Sequence, residues 1–162
     1  MKKSKEKTSS HVSLLLSPLN DQLYAFDISM VEELIPLPEL TPIGTSMPFV
    51  KGVIDLRGTI VPIIDLKMRL GLETREYKLE DAVVVVKFEN LIAGLIVDSG
   101  SSVIEFSPEA ISSSPEMIKE MHRECISGWG RSEKGLFVIL DLQKLLNKEE
   151  IDAIQKINPP LL

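Results

Sequence analysis

Short apolar runs rich in Val and Ile recur along the chain, and turn signals separate them. This pattern is typical of the strands of a small barrel or sandwich. Gly and Asn tolerate the positive φ of tight turns, so hairpins are predicted at Asn20-Asp21, Arg57-Gly58, Glu89-Asn90 and Lys134-Gly135. The predicted strands span residues 11–16, 22–28, 49–56, 59–64, 82–88, 91–97, 101–106, 125–129 and 136–140.

Pro62 interrupts one of these apolar runs. Proline has no backbone N–H to donate to a neighbouring strand, so we predict that run 59–64 is an edge strand or carries a bulge. Edge strands leave backbone groups unpaired, and other proteins can dock there.

Helical periodicity is confined to two segments. Residues 31–34 are long enough for only one turn. In residues 141–157 the apolar positions fall on one face, Asp141 can cap the start, and Pro159-Pro160 ends the segment. Residues 107–124 are predicted to form a loop with one helical turn at 116–121.

The two halves of the chain resemble each other. Strand 59–64 ends in Asp65-Leu66, and strand 136–140 ends in Asp141-Leu142; a Gly-containing strand and a turn precede each. The repeat predicts two related small barrels, divided near residues 72–81. We therefore expect an all-β protein.

Composition narrows the possible partners. The net charge of −6, with no basic stripe beyond the first residues, disfavours nucleic acid as a partner. No apolar run approaches the roughly 20 residues of a membrane helix. Residues 1–10 are predicted to be a disordered basic tail, and the protein is expected to be cytoplasmic with protein partners. One cysteine, Cys125, excludes an internal disulfide.

Candidate catalytic groups are few. His122 and Cys125 are three residues apart, but two such ligands without further support predict loop neighbours rather than a metal site or a nucleophile. Asp55 and Asp65 flank the Arg57-Gly58 turn and suggest an acid/base pair of a small hydrolase. We favour the alternative, in which each carboxylate caps the turn that follows it.

Arg57 stands directly before a turn glycine, between two apolar strands. We predict that it forms an ion pair with Glu33 and holds the short helical segment 31–34 against the hairpin. The same corner is also a candidate docking surface, and the two interpretations are compatible.

Residues 23–72 resemble the CheW-like domain. The most specific motifs are KGVIDLRG from Lys51 and VPIIDL from Val61. The resemblance extends over about residues 11–148 and departs at Asp55, where the family usually has Asn. Further matching elements are Tyr24, Asp27-Ile28, Val31-Glu32-Glu33, Thr41-Pro42, Pro48-Phe49-Val50 and the segments 83–86, 93–98 and 139–146.

The resemblance implies two small five-stranded β-barrels around a shared core, with a short C-terminal helix. We expect barrel one at about 20–80, barrel two at 81–147 together with the first strand 11–17, and the helix and tail at 149–162. It also implies a chemotaxis adaptor without catalysis, cofactor or metal. Such a protein stays in the cytoplasm at membrane receptor arrays, without inserting into the membrane.

The implied partners are the regulatory domain of the histidine kinase CheA and the cytoplasmic tip of a chemoreceptor. Carried over position by position, the receptor-binding residues are Val31, Glu33, Lys51, Gly52, Arg57, Val83 and Val103. The kinase-binding residues are Ile28, Met30 and Leu34. Two alternatives remain: a CheW-like regulatory module of a kinase or larger protein, and the hydrolase that uses Asp55 and Asp65.

Overall fold

The computed structural model describes residues 11–88, 90–112 and 123–157, and strands dominate this part of the chain. The strands are β1 (Val12–Leu19), β2 (Gln22–Asp27), β3 (Val31–Pro36), β4 (Val50–Leu56), β5 (Thr59–Asp65), β6 (Ala82–Phe88), β7 (Leu91–Val97), β8 (Ser102–Phe106), β9 (Ile126–Ser132) and β10 (Gly135–Leu140). The α-helices are α1 (Leu66–Arg69) and α2 (Lys148–Gln155), and 3-10 helices span Ile28–Met30, Pro108–Ala110, Arg123–Cys125 and Leu142–Lys144.

The strands form two five-stranded, barrel-like sheets with the same strand order. Sheet A has the order β8-β1-β2-β10-β9, and sheet B has the order β3-β6-β7-β5-β4. In each sheet a parallel pair, β2 with β10 or β7 with β5, joins two antiparallel hairpins. This shared order confirms the prediction of two related five-stranded units.

The predicted division of the strands between the two barrels was wrong. β2 lies in sheet A with the C-terminal strands, whereas β6 and β7 lie in sheet B. The cause is the parallel pairing of distant segments, such as Leu23 with Phe137. Hairpin signals report only neighbours along the chain and therefore cannot reveal such a pairing.

Three apolar cores explain why the strands are apolar on both faces. In β1, Leu14 and Leu16 face the interior of sheet A, while Leu15 packs into a core shared with sheet B. In β6, Val83 faces the interior of sheet B, and Val84 faces the shared core. The shared core contains residues of both sheets and of the C-terminal segment, and its packing holds the two sheets together.

The Asp-Leu repeat occupies equivalent places in the two sheets. Asp65 is the last residue of β5 and accepts a hydrogen bond from the backbone N–H of Met68, capping α1. Asp141 follows β10 and accepts one from the N–H of Gln143, at the start of a 3-10 helix. Leu66 and Leu142, which follow these aspartates, are both buried in the shared core.

The predicted single helix over residues 141–157 is in fact two elements. The 3-10 helix after Asp141 stops, and α2 starts anew with Asn147 as its N-cap. Asn147 and Glu150 form a reciprocal capping box, which favours a fresh helix start at this point. Ile154 of α2 is fully buried in the shared core. No helix in the described residues is long and apolar enough to cross a membrane.

Residues 31–34 were predicted to be helical and instead form the start of β3. The helical turn precedes them, at Ile28–Met30, with Asp27 as its cap. Pairing of β3 with the valine-rich β6 overrides the weak helical signal of this short segment.

Two further details differ from the prediction. β5 is an interior strand, and the bulge beside it lies in β4, between Val50 and Gly52. Its pairing with β7 starts at Ile63, so Pro62 stands just before that ladder, where a missing N–H does least harm. The last hairpin turn is 133–134, one residue earlier than predicted. The predicted turn at 116–121 lies outside the described residues.

Candidate partner-binding surface

An exposed corner of sheet B carries an ion pair between Arg57 and Glu33. Arg57 and Gly58 form the two-residue β4–β5 turn with φ values of 51° and 90°. Asp55 stabilises this turn by accepting a hydrogen bond of 2.8 Å from the N–H of Gly58. The side chain of Arg57 is 72% exposed and that of Glu33 30% exposed, so the corner is open to a partner.

The segment after β3 closes sheet B along its other edge. Thr41 and Val53 exchange two backbone hydrogen bonds, each of 2.9 Å. Gly52 permits this approach, because a Cβ at that position would lie 2.5 Å from the carbonyl oxygen of Thr41. Gly52 is buried, so its part in the corner is to hold the backbone rather than to contact a partner.

Two exposed apolar side chains occupy equivalent positions on the edge strands of the two sheets. Leu34 of β3 pairs with Val84 of β6. Val103 of β8 pairs with Leu15 of β1. Val84 and Leu15 both face the shared core. Val84 precedes the β6–β7 turn by the same number of residues as Leu15 precedes the β1–β2 turn. Leu34 is 45% and Val103 58% exposed, so both lie at the margin of that core.

The remaining predicted contact residues differ in accessibility. Ile28, Met30 and Val31 are half-buried and pack against the shared core. Met30 also lines a groove of about 320 Å³ beside β1 and β10. Lys51 is half-buried at the β4 bulge.

Val83 is fully buried inside sheet B, so its assignment as a contact residue was wrong. In a strand that is apolar on both faces, the sequence does not tell which residues face a core.

A partly buried ion cluster lies at the opposite end of β5 from the Arg57 turn. Arg75 donates to both carboxylate oxygens of Asp81 at 2.9 Å and to Asp98 at 2.7 Å. Lys67, which is buried, contacts Asp98 at 2.8 Å. The hydrogen bond to Arg75 holds the pKa of Asp81 below its usual range, although burial acts in the opposite direction.

Tyr77 and Asp65 extend this cluster. The Tyr77 hydroxyl donates to Asp65 at 2.7 Å, while the other oxygen of Asp65 caps α1. Burial, and then this hydrogen bond, raise the pKa of Tyr77. Sequence reasoning missed the cluster because residues 72–81 look like a polar linker. The cluster could have been predicted from Asp81 and Asp98, because these charged residues stand at the ends of strands that are otherwise apolar.

The structure separates Asp55 from Asp65. Asp55 pairs with Ile60 at the turn end of the hairpin, whereas Asp65 is five residues further along β5. That spacing corresponds to roughly 16 Å, too far for an acid/base pair on one substrate bond. Both carboxylates cap the turns that follow them, so the capping interpretation is confirmed and the hydrolase pair is wrong.

Cys125 is buried, and its S–H donates to the carbonyl oxygen of Lys144 at 3.2 Å. Burial raises the pKa of this thiol, which disfavours the reactive thiolate. Within the described residues no group of His, Cys, Asp and Glu is arranged to hold a metal ion. His122 lies outside the described residues.

Comparison with known proteins gives a consistent picture. The CheW-like domain family matches residues 13–150. Chemotaxis protein CheW of Klebsiella aerogenes is 32% identical over 88% of this chain and 86% of its own. Chemotaxis protein CheW of Treponema pallidum is 31% identical over 89% and 87%.

A solved structure agrees with these matches. The scaffolding protein TtCheW from Thermoanaerobacter tengcongensis has a TM-score of 0.76 and 29% identity, covering 84% of this chain and 88% of its own. Because the family match spans far more than half of the residues, the chain belongs to the CheW-like family of chemotaxis scaffold proteins.

Proposed function

We propose that this protein is a cytoplasmic chemotaxis adaptor that couples chemoreceptors to the histidine kinase CheA without catalysing a reaction. The family match over residues 13–150 carries the proposal. Two sheets joined by a shared core give one body with separate exposed surfaces, which suits a protein that must hold two partners in a fixed geometry.

The proposed receptor-binding surface is the corner of sheet B together with Val31 and Val103 beside the shared core. Arg57 and Glu33 offer charge, while Val31 and Val103 offer apolar area. A receptor tip is a helical hairpin, and a helix with an apolar stripe suits an apolar margin flanked by charges. Lys51, at the neighbouring bulge, adds a positive charge for the partner.

The proposed kinase-binding surface centres on Leu34. Ile28 and Met30, in the turn between β2 and β3, extend the apolar area from the shared core toward this residue. Leu34 of β3 and Val103 of β8 occupy equivalent places, one on each sheet, so each proposed surface includes one exposed apolar side chain of an edge strand.

In this arrangement the protein acts through geometry. Because one folded body binds both partners, the placement of the kinase depends on the placement of the receptor. The energy involved is the coupling free energy between two binding sites, typically about 1–3 kcal/mol.

Calorimetric titration of the full-length chain with the CheA regulatory domain, and separately with a receptor cytoplasmic fragment, tests the proposal. We expect binding to both. Leu34→Asp should weaken kinase binding at least tenfold and leave receptor binding intact. Leu136→Asp is the matched control, because Leu136 is 44% exposed and Leu34 45% exposed. Absence of binding to both partners would contradict the adaptor proposal, and equal effects of the two variants would contradict the kinase surface.

A second candidate function has one observation in its favour. Chemotaxis protein CheV3 of Helicobacter pylori matches 83% of this chain over only 44% of its own length, at 30% identity. CheW-like domains therefore also occur as modules of longer proteins. If this chain is such a module, the protein detected in cell extracts with an antibody against residues 13–150 will be larger than 18.0 kDa.

A further inference from the structure

Residues 73–80 form a strap that is tied down by side chains rather than by regular secondary structure. Arg75 binds Asp81 and Asp98, and Tyr77 binds the buried Asp65. The backbone N–H of Lys78 donates to Asp81 at 2.7 Å. In each of these contacts the acceptor is a carboxylate of sheet B. It belongs either to the last residue of a strand or to a residue next to a strand in the sequence.

Asp98 also connects the strap to the other sheet. One of its oxygens accepts from Lys67 and Arg75, both attached to sheet B. Its other oxygen accepts the backbone N–H of Asn20, in the β1–β2 turn of sheet A, at 2.8 Å. The Asn20 side chain in turn donates to the carbonyl oxygen of Glu73 in the strap at 3.2 Å.

The members of this cluster depend on one another. Asp81 is 2% exposed and Lys67 8% exposed at the side chain. Removing one partner from a buried pair leaves an uncompensated charge, which is much more costly than losing an exposed pair. When Arg75 is removed, Asp81 keeps only the backbone N–H of Lys78, and Asp98 keeps only Lys67 and Asn20, so the remaining contacts weaken together.

We propose that this cluster is a latch that makes two segments open as one unit: the strap of sheet B and the β1–β2 turn of sheet A. Asp98 is the shared point through which opening of one segment loosens the other. Closed, the latch fixes the placement of the two sheets relative to each other at this end of the molecule. The proposal is independent of which partner the protein binds.

Hydrogen exchange of backbone amides in the full-length protein tests the latch. In Arg75→Gln, the amide of Asn20 should exchange about tenfold faster or more, although the acceptor of that amide is Asp98. In the reciprocal variant Asn20→Gly, which keeps the positive φ of 59° available, the amide of Lys78 should exchange faster by a similar factor. If Arg75→Gln does not fold, this reciprocal variant decides alone.

Glu150→Gln is the matched control. It removes an ion pair of 3.3 Å with Arg69, also partly buried, that joins α1 and α2, and Gln retains the capping-box geometry. Exchange at Asn20 and Lys78 should match the wild type in this variant. The latch is refuted if Arg75→Gln speeds exchange only in the strap and Asn20→Gly speeds it only in the β1–β2 turn. It is also refuted if Glu150→Gln speeds the exchange of both amides equally.

Discussion

Arg57 and Glu33 form an ion pair between the two edge strands of sheet B, which stand at opposite ends of its strand order. Glu33 belongs to β3, and Arg57 follows β4 directly. The pair therefore spans the seam at which the sheet curls back on itself. Arg57 holds a backbone φ of 51° while doing so, a conformation that Asn and Gly adopt more readily.

Replacing Arg57 separates its stability contribution from its binding contribution. An exposed ion pair contributes about 0–1 kcal/mol. A left-handed conformation costs a residue such as Arg roughly 1–2 kcal/mol more than Gly, and Asn tolerates it better. We expect Arg57→Asn to leave the free energy of unfolding unchanged or raise it by up to about 1 kcal/mol, while receptor binding falls at least tenfold.

Urea unfolding and calorimetric titration measure the two effects. Glu33→Gln is the companion variant, because it removes the same pair without touching the turn. Wild-type receptor binding in both folded variants would contradict the assignment of this corner to the receptor.

Gly52→Ala should destabilise the protein through the backbone. The new Cβ would lie 2.5 Å from the carbonyl oxygen of Thr41, so the segment after β3 that closes sheet B must move. We expect a loss of about 1–3 kcal/mol in the free energy of unfolding. Gly44→Ala is the control, since no atom lies within 4 Å of a Cβ there. Equal stabilities of the two variants in urea would show that the close approach is unimportant.

Val83 and Val103 allow the same substitution to be made inside and outside a core. Val83 is 0% and Val103 58% exposed. Val83→Ala should lower the free energy of unfolding by about 1–3 kcal/mol, because it removes buried methyl groups and leaves a cavity. Val103→Ala should leave stability within about 0.5 kcal/mol and weaken receptor binding instead. A binding defect confined to folded Val83→Ala would reverse this assignment.

The low pKa of Asp81 makes stability depend on acid pH. Below the ordinary Asp pKa of about 3.9, this side chain is protonated in the unfolded chain, whereas in the folded protein it is still ionised. The stability from the Arg75–Asp81 contact is therefore complete above that value and is lost as the pH falls through the lower, folded pKa.

Asp81→Asn tests this dependence. The variant should be less stable at pH 7 by up to about 3 kcal/mol, since Arg75 loses a buried partner. The difference from the wild type should shrink as the pH falls below about 4. Urea unfolding at pH 7, 5, 4 and 3 measures it, and a constant difference at every pH would contradict the assigned cause.

Most strands were predictable from the sequence because the signal for a strand lies in its own residues and the turns on either side. Short apolar runs between turns correspond to nine of the ten strands in the described residues. The tenth, β3, was missed because its strand character comes from pairing with β6 rather than from its own residues. The membership of the sheets was missed for a related reason, since the pairing of Leu23 with Phe137 joins opposite ends of the chain.

The candidate site was predictable only in part. The ion pair between Arg57 and Glu33 was predictable because Arg57 stands at a tight turn, which fixes its position. The burial of Val83 and the contacts of Arg75 did not, because both depend on which face of a strand turns inward and where a loop folds back. These are tertiary properties, and the pattern of apolar and polar residues does not contain them.

The equal strand order of the two sheets hides an asymmetry that matters during synthesis. Sheet B consists of consecutive strands and can close once the ribosome has released residue 97, whereas sheet A also needs β9 and β10. Until residue 140 emerges, the N-terminal hairpin has no parallel neighbour, and its apolar face toward the interior of sheet A lacks the residues of β10 that cover it. Nascent chains of intermediate length are therefore expected to be chaperone clients, and mutations in β9 or β10 should reduce the yield of folded protein more than equally destabilising ones in sheet B.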